Sequence, residues 1–76
     1  MNDDRRKQLS KANIMLADAR MIMEQVRDGE QEAFDNLPES LQQGKKGTAM
    51  EEAISTLEDA ISGIEDAERS CDDASV

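Results

Sequence analysis

The sequence predicts an all-α protein, an antiparallel two-helix hairpin of coiled-coil type that pairs with a second copy into a four-helix bundle. Three observations carry this expectation. Both halves of the chain show heptad spacing, a cluster of helix breakers separates them, and the apolar positions exceed what one helix–helix seam can bury.

In the first half, Leu9, Ala12, Leu16, Ala19, Met23 and Val26, then Glu30, Ala33 and Leu37, follow alternating steps of three and four. Such steps mark the a and d positions of a heptad. Only Glu30 interrupts the apolar run. The pattern predicts a first helix over about 3–35.

The junction reads Asn36-Leu37-Pro38-Glu39 and then Gly44-Lys45-Lys46-Gly47. Pro38 disfavours helical geometry at Leu37. Asn36, with Glu39 three residues on, fits the cap of a short helical turn over about 38–43. The two glycines are expected to reverse the chain, giving a turn over about 36–47. Phe34, Leu37 and Leu41 are expected to plug this end of the hairpin while Asn36 caps. A recognition knuckle displaying Pro38 is the alternative.

The second half nearly repeats every seven residues, with a large residue at a and alanine at d. It places Met50, Ala53, Leu57, Ala60, Ile64, Ala67, Cys71 and Ala74 on the seam. Thr48 with Glu51 reads as a capping box, so the second helix is expected over about 48–70, with a frayed tail at 71–76. The short connection makes the helices antiparallel neighbours.

Ile14, Met15, Met21 and Ile22 in the first helix, and Ile54 and Ile61 in the second, fall off this seam. Burying such side chains is worth about 1.5–3 kcal/mol each, comparable in sum to the stability of a small domain. These six residues are therefore the expected self-association surface. The competing reading is that they widen the contact within one hairpin. The chain has 76 residues, one cysteine and no histidine. It can form no internal disulfide and lacks the usual zinc ligands, which leaves association as the route to stability.

The formal net charge is −9. Residues 1–47 contribute −1 and residues 48–76 contribute −8. That balance disfavours direct contact with nucleic acid or anionic membrane and favours basic partners. The acids form two rows: Glu51, Glu58, Glu65 and Asp72 in one, Glu52, Asp59, Asp66 and Asp73 in the next. From 51 to 73 the helix rises ~33 Å. Its acids recur about every 3.7 Å, against ~1.7 Å for duplex DNA. The rows read either as a solvated outer face or as a docking face for a basic partner, including mimicry of nucleic-acid phosphate.

No catalytic constellation, metal set or cofactor motif is expected. Cys71 has no histidine to activate it, and Asp28-Gly29-Glu30-Gln31-Glu32 lacks the later ligands of a calcium loop. Gly44-Lys45-Lys46-Gly47-Thr48 lacks phosphate-loop spacing, though a helix start beside two lysines can attract an anion such as a nucleotide. With no long apolar run and no leader pattern, the expected location is the cytoplasm.

The stretch Glu32 to Gln42, containing Asp35-Asn-Leu-Pro-Glu-Ser-Leu-Gln42, followed by Ala49-Met-Glu-Glu-Ala-Ile54 and Leu57-Glu-Asp-Ala-Ile61, resembles a group of small uncharacterised proteins of bacteria and their phages or prophages. The likeness covers about residues 30–67 and brings no activity or site with it. It implies a phage or prophage context, with a host protein as the partner. The expected function is thus a non-catalytic, self-associating acidic binding protein. A nucleic-acid mimic and a nucleotide-sequestering protein are the alternatives.

Overall fold

The computed structural model describes residues 1–76. Helix α1 spans Asp3–Asp35, α2 is a short turn of helix at Glu39–Gln42, and α3 spans Lys45–Ala74. Helices α1 and α3 pack along their lengths into an antiparallel rod of 58 × 14 × 12 Å measured on Cα atoms. There is no strand.

Helix α1 starts where its first turn is best satisfied. The Asn2 side chain accepts from the Arg5 N–H at 2.8 Å, and Asp3 and Asp4 lie in the first turn. Both features favour the positive end of the helix dipole. The helix ends at Asn36, whose N–H still donates to the Glu32 carbonyl. Asn36 therefore closes α1 and does not cap α2. Pro38 precedes α2 in an extended conformation, with no side-chain cap.

The second helix is longer at both ends than the sequence reading placed it. Gly44 is its N-cap, in extended geometry, so α3 begins at Lys45. Thr48 is already inside the helix, its hydroxyl donating to the Gly44 carbonyl at 3.0 Å, and forms no capping box. At the other end the helix continues to Ala74 instead of fraying after Ser70. Two groups of α1 hold it there: Arg6 Nε donates to the Ser75 carbonyl at 3.1 Å, and Asn13 Nδ2 donates to Asp72 at 2.8 Å and to the Glu68 carbonyl at 3.3 Å. The last turn of α3 has no basic residue of its own, so Arg6 supplies the cation that its negative end favours. Arg6→Gln should speed amide deuterium exchange over 71–75 while leaving the rest of α3 unchanged.

The chain reverses without any residue at positive φ. Gly47 is instead needed for a close approach. It is buried on α3, and a Cβ built there would lie 2.5 Å from the Gln42 carbonyl carbon and closer to its oxygen. Gln42 in turn donates through Nε2 to the Phe34 carbonyl at 2.9 Å, joining α2 to the last turn of α1.

The seam is rotated relative to the one read from alanine spacing. Along α3 and its C-cap the seam runs Gly47, Met50, Ile54, Leu57, Ile61, Ile64, Glu68, Cys71 and Ser75, all buried or half-buried, with half-buried Ala53 and Ala67 beside it. Ile54 and Ile61 are 8% and 4% exposed, and with Met50 they form the buried core. They cannot be part of a self-association surface. On α1 and just beyond its end the matching run is Leu9, Asn13, Leu16, Arg20, Met23, Arg27, Glu30, Phe34 and Leu37, with half-buried Ala12 and Ala19 beside it. Leu9, Leu16, Met23, Met50, Leu57 and Ile64 remain on the seam, but Val26 and the alanines move to its flank. Isoleucine removes more apolar area from water than alanine, and that difference favours the rotation.

The rotation brings polar α1 side chains into the seam, where α3 satisfies most of their atoms. Arg20 Nε donates to Glu68 at 2.7 Å, and its Nη1 donates to Glu24 at 2.8 Å. These bonds, Glu68 first, hold the guanidinium above its ordinary range. A raised pKa means the interaction is fully present below the unfolded value; Arg20 is charged through neutral and mildly alkaline pH with or without these bonds. The Asn13 Oδ1 is buried without a hydrogen-bond partner. Asn13→Leu removes that orphaned oxygen but also both Nδ2 bonds that hold the end of α3, so it should free the last turn of α3 without raising stability; a raised urea midpoint would contradict it.

Candidate protein-binding faces

Successive helical residues turn by about 100°, so each flank of a helix can be read from the seam. On α1, Met15, Ala19, Ile22, Val26, Gly29 and Ala33 recur in steps of four and three, about a quarter turn from the seam. On α3, Ala53, Thr56, Ala60, Gly63, Ala67 and Ser70 do the same, in the same angular sense. Because the two helices run antiparallel, equal offsets in the same sense put both lanes on one side of the rod. No position in either lane is charged, in a chain that is 36% charged. Met15, Ile22 and Val26 are 60%, 61% and 54% exposed on this face.

The six residues expected to form one self-association surface thus separate into three groups. Met15 and Ile22 lie on the uncharged face. Ile14 and Met21 are also exposed, but they fall on the opposite flank of α1. Ile54 and Ile61 are in the core. Val26, read at first as a seam residue, belongs to the exposed lane with Met15 and Ile22. The signal that locates this lane was present in the sequence, since it is the alanine register itself.

The acidic residues occupy the remaining surface of α3. Glu51, Glu58 and Glu65 are on the side opposite the uncharged face, and Glu52, Asp59 and Asp66 are on the outer edge. All six are exposed. Asp66 pairs with Arg69 at 2.9 Å; the other five make no ion pair. No group of three or more of the chain's carboxylates and its thiol is placed to hold a metal ion.

The turn divides differently from the expected plug. Phe34 and Leu37 are half-buried, whereas Leu41 is 48% exposed and Asn36 and Pro38 are exposed. Lys45 and Lys46 are exposed at the start of α3. No pocket lies beside them. The one groove, of about 140 Å³, is at the other end of the rod between Arg6, Asn13, Cys71 and Ser75, well below the ~300–1,000 Å³ of small-molecule sites. No helix is long and apolar enough to cross a membrane.

The fold and faces define an antiparallel helical hairpin with one uncharged side and one acidic helix. No family model, curated protein or solved structure matches the chain.

Proposed function

We propose that this protein is a non-catalytic, self-associating helical binding module that engages a protein partner with its acidic helix. One observation carries the reading: the uncharged face and the unpaired carboxylates of α3 occupy different sides of the same rod. Self-association through the first leaves the second free. The resemblance of residues 30–67 to small phage and prophage proteins fits a bacterial host protein as the partner.

The carboxylates favour a basic surface on that partner. Their rows, in which only Asp66 is paired, also support the narrower reading of phosphate mimicry, in which the partner is a nucleic-acid-binding protein. A bait carrying Glu58→Lys, Asp59→Lys, Glu65→Lys and Asp66→Lys tests the acidic helix against the unaltered protein in bacterial lysate. Partners lost only by the variant, and released by rising salt, are expected. Identical capture by both baits would exclude the acidic helix as the docking side. Displacement of a captured partner by duplex DNA is the result expected of a mimic.

A further inference from the structure

Resting on the self-association proposed above, we infer that a second copy of this chain packs on the uncharged face, with the two-fold axis along the rod, so that each α1 lies on the other copy's α3. The turns of the two copies are then at the same end, and every neighbouring pair of helices is antiparallel.

The exposed surface of the rod is large enough to receive a second copy. The chain exposes 5490 Å². A compact monomer of its mass, 8.4 kDa, exposes about 4,600 Å². The excess is near the ~800 Å² that each partner buries in a stable interface. Between Met15 and Ala33, and between Ala53 and Ser70, the face carries no charge, as the centre of such an interface requires.

The glycines give an independent argument. Gly29 and Gly63 lie within α1 and α3, where glycine is a poor helix former. A Cβ built on either meets nothing within 4 Å. The hairpin itself therefore gives no reason for glycine at these positions. Both lie in the uncharged lanes, where the missing side chain lets another helix backbone come close.

Size and charge select the arrangement. Arg6 reaches Ser75, Asn13 reaches Glu68 and Asp72, and Arg20 reaches Glu68, which sets the relative level of the helices. On that scale Met15 is level with Ala67, Ile22 with Ala60 and Gly63, and Val26 with Thr56. Rotation about the long axis preserves these levels, so the large side chains of each α1 meet small residues of the other α3. The other two-fold arrangement stacks α3 on α3, and residues 48–76 carry −8 in each copy. The proposed arrangement sets each acidic helix against α1, within the segment 1–47 whose net charge is −1.

Light scattering at micromolar concentration should give the mass of two chains. A one-chain mass overturns both this inference and the self-association on which it rests. Ile22→Glu should weaken the dimer at least a hundredfold, whereas Ile14→Glu, equally exposed but on the opposite flank, should leave it intact. A dimer that survives Ile22→Glu and fails with Ile14→Glu keeps the self-association and overturns the face. Disulfide trapping covers the case in which Ile22→Glu unfolds. Copies with Cys71→Ser and Ile22→Cys are refolded together with copies carrying Cys71→Ser and Ala60→Cys, then oxidised. A mixed disulfide between the two kinds of chain is expected, with none in either variant alone. No mixed product, or a disulfide formed by Ile22→Cys alone, overturns the arrangement.

Discussion

Urea denaturation of Ile61→Ala, at the same protein concentration as the unaltered chain, should show a loss of about 2–5 kcal/mol in unfolding free energy. Ile61 is 4% exposed, the lowest value in the buried core. The core is otherwise Met50 and Ile54, so the neighbours that could collapse into the cavity are few. Ile14→Ala removes the same atoms from a residue that is 61% exposed and should change stability by no more than about 0.5 kcal/mol. Equal losses at the two positions would show that the helices are not rotated as described.

Gly47→Ala should destabilise the protein by about 1–3 kcal/mol, although helix propensity alone calls for a gain of about 1 kcal/mol. The added methyl would meet the backbone of Gln42, which cannot move aside as a flexible side chain can. Relief requires α2 to lift from α3, and the hydrogen bond from Gln42 to the Phe34 carbonyl should be lost with it. Loss of chemical-shift dispersion at the Gln42 side-chain amide would report that step. A gain in stability would mean that the close approach at the turn is not required.

The two helices, the breakers between them and one seam position in each heptad were legible from spacing. Leu9, Leu16 and Met23, with Met50, Leu57 and Ile64, are where the pattern put them. The second seam position was not legible, because two continuations are open from each large residue. From Met50, a step of three reaches Ala53 and a step of four reaches Ile54. From Leu9 the same steps reach Ala12 and Asn13. On α1 alone, alanine is the better choice over asparagine. The helices must agree, however, and the larger apolar area of Ile54 and Ile61 rotates both. The polar α1 residues that follow find Glu68 and Asp72 across the seam, contacts that no single-helix pattern contains. The same ambiguity hid part of the exposed lane, because Ala19, Val26, Ala33, Ala53, Ala60 and Ala67 read equally well as seam positions. The caps were missed for a local reason: Gly44 carries no side chain to announce a helix start, and Thr48 bonds back along the chain.

The seam is also uneven along its length. Its buried residues, Gly47, Met50, Ile54 and Ile61, lie between the turn and a point just past the middle of α3, whereas the end of α3 is tied to α1 by hydrogen bonds that join Arg6, Asn13 and Arg20 to Glu68, Asp72 and Ser75. Closing the chain across the turn joins residues separated by few others, and short loops close with the least loss of entropy. The hairpin should therefore zip from its turn toward the two termini. Tension applied to those termini, which lie side by side, would open the polar end first and reach the isoleucines last.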